Sequence, residues 1–316
     1  MTNKNKKRPT GYRAPASTKE TTPARKGILD SVFAPRVPGA SSMPKIPTSL
    51  YRGLATVASS PGIVCTVVLV VALEWFALVA FGSQGPFAIM VNQLGVPPVG
   101  SYSDLTLSIG VFGVQTGFIA LLGFIVVRAV VIAVLTSMAV DVLQTGKASR
   151  WSLVRALRIL PIAVSVNVGC LGLLVMANFI GPLLGSGFGL LILMAALVGG
   201  IYLLGFATTI AATERRGLAE TMGRSARAAR MPGSGNLTFA ALYVLTSVAV
   251  LAIPKPGSLV GVNPSIGAWA IALVAGLGHA IVIAALAFRY LSVAAEVPDA
   301  PTRAPKRAPK PRGRGR

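Results

Sequence analysis

The sequence carries little that could do chemistry. Its 316 residues include one histidine, two cysteines and nine acidic side chains. A single histidine, His279, excludes a histidine-rich metal site. Two cysteines, Cys65 and Cys170, are too few for a disulfide framework, and both fall in apolar runs, where they read as small buried hydrophobes with free thiols. The chain holds no phosphate-binding loop, no dinucleotide fingerprint and no nucleophile beside a base. No metal, cofactor or enzymatic activity is expected. Charge is scarce as well: 12% of residues are charged, against roughly 25% in soluble domains. The first 50 residues contain no apolar core of signal-peptide length, so insertion is expected to be led by the first membrane span, which stays in the mature protein.

What the sequence has is long apolar runs. It is 53% hydrophobic, with a mean hydropathy of +0.70. The apolar residues cluster in stretches rather than in soluble alternation or stripes. The most informative stretch, 107–143, has Arg128 and Asp141 as its only charges. It is about one and a half times the roughly 20 residues of a membrane-crossing helix. One crossing over 107–127 is expected, with Arg128 in the far headgroup layer and the helix continuing beyond it.

The other runs place spans at 62–81, 159–180, 188–212, 237–253 and 265–288. Proline and glycine punctuate their ends. Pro161 falls in the first turn of its span, where a missing N–H costs nothing. Before it, 151–158 sets arginines and apolar residues on different sides at helical spacing, an interface-lying turn anchored by Trp151. The reading is an all-α polytopic transmembrane bundle over 61–289. It is flanked by basic disordered tails, 1–60 and 290–316. Within the first tail, 28–33 and 50–57 are candidates for short interfacial helices.

Charge sets the orientation. Six crossings put both tails on one side. The tails and even-numbered links together hold 29 of the 30 lysines and arginines, leaving only Lys255 for the opposite side. By the positive-inside rule both termini are cytoplasmic, in a multi-pass protein of the cytoplasmic membrane. Arg128, Arg150, Arg155 and Arg158 are then candidates for lipid phosphate, reached by snorkelling. The tails suit anionic lipid or an acidic membrane-protein partner. Nucleic acid is not expected, since the basic residues lack interleaved aromatics.

Four polar residues within the spans, Glu74, Gln115, Asn167 and His279, form the candidate site. An ionisable group inside a span costs roughly 3 kcal/mol on insertion scales and is a functional candidate by default. Matching the outer ends of the first two spans places Glu74 about 20 Å from Arg128 along the membrane normal. Glu74 is therefore expected to miss Arg128 and to hydrogen-bond Gln115. His279 reads as a neutral imidazole satisfied by a neighbour. Asn167 reads as a cross-helix hydrogen bonder. Recurrent glycines such as Gly113 and Gly117 favour close helix packing.

In 128–236, Thr145-Gly146-Lys147-Ala148-Ser149-Arg150-Trp151-Ser152 leads into a helix pair. The returning helix is followed by Arg216-Gly217-Leu218-Ala219-Glu220-Thr221-Met222-Gly223-Arg224-Ser225-Ala226. This pattern resembles uncharacterised bacterial six-helix membrane proteins and the membrane domain of some glycerophosphodiester phosphodiesterases, over about a third of the chain. No phosphodiesterase catalytic domain is present, so the resemblance implies a compact helical bundle and no activity. The functional expectation is a non-enzymatic integral membrane protein acting in envelope organisation or partner binding. The alternative is a transporter or channel component built on Glu74.

Overall fold

The computed structural model describes residues 43–80, 114–184, 186–231, 235–251 and 264–298. Among them every regular element is a helix: α1 (Ile46–Ala58), α2 (Pro61–Ala80), α3 (Val114–Thr145), α4 (Trp151–Leu184), α5 (Ser186–Leu204), α6 (Ala207–Thr213), α7 (Leu218–Ala229), α8 (Asn236–Leu251) and α9 (Pro264–Leu291). Four stretches are long and apolar enough to cross a membrane: Ile125–Thr145 in α3, Trp151–Gly169 in α4, Met194–Thr213 through α5 and α6, and Trp269–Leu291 in α9. The α1–α2 pair, bent by 86° at Ser59-Ser60, makes a fifth if it counts as one span. The apolar stretch of α8, Asn236–Ser247, is shorter.

The bundle is organised around α9, which packs against α1, α2, α3 and α6. Its buried surface is mostly alanine, with Ala272, Ala280, Ala284, Ala285 and Ala287 facing inward. Small side chains let helix backbones approach closely, which matters where lipid offers no hydrophobic drive for helix association. The closest approach is at Gly53 of α1, where an added Cβ would collide with the Ile281 carbonyl.

Polarity runs inside out. Large apolar side chains such as Leu69, Leu73, Leu191 and Val274 are exposed, whereas Arg128, Thr136, Ser137, Asn167 and Thr208 are buried. Water would disfavour that distribution; hydrocarbon favours it, because lipid solvates apolar side chains and leaves polar groups only one another. α1 shows it in miniature. It buries Ser49, Gly53 and Thr56 and exposes Leu50, Tyr51 and Leu54.

Several boundaries differ from those expected. The amphipathic turn at 151–158 and the following span are one continuous helix, α4, so Pro161 sits ten residues in rather than in the first turn. α4 also continues through Pro182, where a break was expected. Such prolines are tolerated in membrane helices because neighbouring groups and local adjustments re-satisfy the freed backbone carbonyls. Of the expected tails, 1–42 and 299–316 lie outside the described residues. Within 1–60, Met43 and α1 belong to the bundle. Within 290–316, Tyr290, Val293 and Val297 are buried. Cys65 is exposed rather than buried, and the Cys170 side chain lies outside the described residues.

Candidate functional site

The ends of several helices are stitched together by buried polar groups at one end of the bundle. Gly146, at φ 78, closes α3 in a left-handed conformation that glycine adopts without strain. One turn earlier, Asp141 accepts hydrogen bonds from Ser152 Oγ and pairs with Arg155, tying the end of α3 to the start of α4. Glu214, just past α6, pairs with Arg216 and with Arg224 of α7 (2.9 Å) and accepts from the Tyr290 hydroxyl of α9. Arg224 donates onward to the carbonyls of Ala294 (2.8 Å) and Val297 (3.0 Å). Burial pulls the Arg224 guanidinium down, but its hydrogen bond to Tyr290 and the Glu214 charge outweigh this and hold it above its ordinary value.

Arg289 is the third stitch. Its side chain is 0% exposed. Nη2 and Nε donate to Asn236 Oδ1 at 2.8 and 3.2 Å, and Nη1 donates to the Pro44 carbonyl at 2.7 Å and to Ser49 Oγ at 3.2 Å. The guanidinium lies 5.4 Å from the centroid of the Phe239 ring. One side chain thereby joins α9 to the start of α8 and to the segment entering α1. Asn236 Nδ2 also donates to the Ala229 carbonyl at 3.1 Å, fastening the end of α7.

Deeper in the bundle lies a second polar set. Ile63, Val67, Val71 and Glu74 form one buried stripe on α2, and Arg128, Val131, Leu135, Ala139 and Val142 form one on α3. The helices run antiparallel: Gly62 at the start of α2 lies against Ala148 just past α3, and four residues on Thr66 Oγ1 meets Met138 Sδ at 3.8 Å, earlier in α3. From that contact Glu74 lies about 12 Å along α2 and Arg128 about 15 Å along α3 in the same direction. The two are therefore level, not 20 Å apart as end-matching implied. Both are buried, at 7% and 1% exposure. Gln115 begins another 13 residues, about 20 Å, farther along α3, so it is not level with Glu74; its side chain lies outside the described residues.

Arg128 thus stands well inside the bundle, about 20 Å along α3 from Asp141, with its side chain buried among the helices. The 32-residue α3 is longer than a span needs. Arg150 and Arg158 are exposed, and Arg155 is engaged by Asp141. Asn167 is buried but serves its own helix, donating to the Ala163 carbonyl at 2.7 Å, instead of reaching across.

His279 faces α8, where its Nδ1 meets the Tyr243 hydroxyl at 2.9 Å with the rings edge to face. His279 and Tyr243 therefore form a polar pair contributed by α9 and α8. The pair lines a cavity of about 600 Å³ between α1, α8 and α9, walled by Ile46, Leu50, Phe239, Leu242, Val274 and Val282, with Thr246 and Ser247 as further hydroxyl-bearing residues of its lining. α8 packs along α5 and stands off from α9 here. The volume falls within the roughly 300–1,000 Å³ of small-molecule sites.

Sequence reasoning missed Tyr243, Asn236, Arg289, Arg224 and Asp141. A hydroxyl-bearing aromatic in an apolar run was the available signal for Tyr243. The charged residues had been read as flanking. Among the described residues no three histidine, cysteine or acidic side chains come together as metal ligands. In comparison with known proteins, no family model matches the chain, and no curated protein or solved structure is similar to it.

Proposed function

We propose that this chain is a non-enzymatic integral protein of the cytoplasmic membrane, with six spans, α8 included, and both termini in the cytoplasm. Its rigid bundle presents the two basic tails at the membrane surface to anionic lipid or an acidic partner. The observation that carries this is the stitched end of the bundle. The starts of α1, α4 and α8 and the ends of α3, α6, α7 and α9 meet there through Asp141, Glu214, Arg224 and Arg289. Helix ends gathered in that way suit an even number of crossings, and the basic links and both tails then leave from the same side. The resemblance to six-helix membrane proteins agrees with that topology.

Single cysteines in a cysteine-free background test it. Positions near Asn92 and Gly261 are expected to label from outside intact cells, and positions in the tails are not. Labelling of the tails would overturn the topology. A second reading, a transporter component, is favoured by the buried Glu74 and Arg128 and by His279 at the cavity, because ionisable groups inside a membrane mark ion and substrate pathways. Reconstituted protein that moves no ion or proton, whether with wild-type Glu74 or Glu74→Gln, would remove it.

A further inference from the structure

The cavity between α1, α8 and α9 joins long apolar walls to one polar spot. On α9 its wall runs from Ala270 to Val282, about 18 Å of helix, and on α8 from Phe239 to Ser247, about 12 Å. Among the described residues its lining holds no lysine, arginine, aspartate or glutamate. Leu242 and Val274 on its flanks are exposed, so it opens toward lipid if the bundle spans a membrane. Gly278 contributes open space: a Cβ there would meet no atom within 4 Å.

The polar spot is His279 with Tyr243. Nδ1 is engaged by the Tyr243 hydroxyl. The His279 side chain is only partly buried, and its Nε2 makes no hydrogen bond among the described residues. His279 stands near the middle of the apolar stretch Trp269–Leu291, which in a spanning bundle sets it about 15 Å from either headgroup layer. A phospholipid acyl chain offers only methylene and methyl groups at that depth, and hydrocarbon penalises a polar atom left unmade. A charged group would be costlier still. The occupant that fits therefore carries an uncharged polar atom to mid-bilayer.

A hydroxyl suits the spot whichever tautomer His279 adopts. It accepts from Nε2–H if Tyr243 donates to Nδ1, and it donates to Nε2 if Tyr243 accepts. About one turn farther along α8, Thr246 and Ser247 also line the cavity. Their hydroxyls donate to the Leu242 and Tyr243 carbonyls at 2.6 and 2.8 Å, which leaves their oxygens as acceptors for a ligand O–H.

We propose that this cavity binds a neutral lipid alcohol, an uncharged hydrocarbon body carrying one hydroxyl. The hydroxyl meets His279 Nε2, and the hydrocarbon lies along the wall from His279 back to Ala270, about 13 Å of α9. The inference rests on the membrane reading above and adds a ligand to it. The apolar walls select the hydrocarbon, the absence of charge excludes an ionic headgroup, and the histidine selects an alcohol over an alkane.

The test uses full-length protein in phosphatidylcholine vesicles, with hexadecanol carrying a photoactivatable diazirine in its chain as the probe and hexadecane carrying the same diazirine as the control. Crosslinks are located by mass spectrometry. Those of the alcohol are expected to saturate, to concentrate on α8 and α9 around Leu242 and Val274, and to be displaced by unlabelled hexadecanol but not by hexadecane. Gly278→Leu is the main variant. Leucine has space there and is the better helix former, so the protein should fold with its thermal stability equal or raised. Its side chain then overpacks against the ligand, and saturable crosslinking should fall about tenfold or more. His279→Phe keeps an aromatic ring but no ring nitrogen, and it should lower the affinity for the alcohol about fivefold, the worth of one hydrogen bond, while leaving the alkane unchanged. Crosslinks spread equally over Leu69, Leu73 and Leu191 would mean bulk lipid only and overturn the proposal. So would displacement by hexadecane as effective as by hexadecanol, unchanged labelling in folded Gly278→Leu, or a preference for the alcohol that survives in folded His279→Phe. Those failures would leave the membrane reading standing, whereas protein that does not enter vesicles at all would overturn both.

Discussion

Replacing Arg289 by lysine keeps the charge and most of the volume, yet it should loosen α1 from the bundle. The guanidinium serves two directions at once. Nη2 and Nε hold Asn236 Oδ1, while Nη1 holds the Pro44 carbonyl and Ser49. A lysine ammonium is a point donor on a flexible stem and cannot reproduce that planar fork. It can satisfy the Asn236 side or the Pro44 side, and the other acceptor is left buried and unmade. A stranded buried acceptor costs about 1–3 kcal/mol, and a hydrogen bond to a charged group contributes about 1.5–3 kcal/mol. Since lysine retains one direction, the net loss should be about 2 kcal/mol. If lysine keeps Asn236, all of that loss falls on the docking of α1, whose local opening should then rise about thirtyfold.

Thr56 provides the readout. It is buried on α1 and bonds only within its own helix in the contact resolved for it, to the Arg52 carbonyl at 2.7 Å. A cysteine at position 56, with Cys65 and Cys170 replaced by alanine, should react slowly with a maleimide in the parent protein. In Arg289→Lys it should react at least tenfold faster, and the unfolding midpoint in denaturant should fall. An unchanged labelling rate together with a stability change below about 0.5 kcal/mol would show that Arg289 does not anchor α1, and the structural account of that end would fail.

Gly53→Leu should release α1 by another route, since its Cβ meets the Ile281 backbone, which has nowhere to move; overpacking of this kind costs about 1–3 kcal/mol. The same maleimide assay checks it, and a native labelling rate would refute the close crossing. Asp141→Ala should cost about 2 kcal/mol by removing the acceptor for Ser152 and the counter-charge of Arg155. Thermal unfolding reads this, and Asp141→Asn should recover part of it through Ser152 alone. The shared depth of Glu74 and Arg128 predicts that the two are coupled. Arg128→Leu and Glu74→Leu should each destabilise the bundle, and the double variant should be more stable than the sum of the single losses implies, by about 2 kcal/mol in a double-mutant cycle. Strict additivity would mean that the two groups are held independently.

Much of the fold was legible along the chain. Apolar runs place helices wherever about 20 residues avoid charge, because transfer to hydrocarbon is a local property that sums residue by residue. That sum located α2, α3, α4, α5 with α6, α8 and α9. It also led to the expectation that the basic links share one end. The amphipathic stretch 50–57 was legible for the same reason, and it is now the core of α1.

The site was not legible, because each of its contacts depends on how far one helix has slid along another. Sliding α3 past α2 by nearly four turns changes almost nothing in the hydropathy of either. It decides whether Arg128 stands beside Glu74 or at a headgroup. Matching the ends of apolar runs is a poor guide when a helix such as α3 continues past the membrane it crosses. The register is set instead by side-chain fit, such as the stripe of Ile63, Val67 and Val71 against Leu135 and Ala139. Arg289 could be read from the sequence only as a basic flank, since the acceptors that make it an anchor lie 53 residues away at Asn236 and 245 residues away at Pro44. The cavity lies farther still from the one-dimensional pattern: it is the space left where α8 leans on α5 and the chain turns through 86° between α1 and α2. Composition along the chain determined that these helices prefer lipid to water; only their packing determined which polar groups meet inside and where the bundle leaves room for something else.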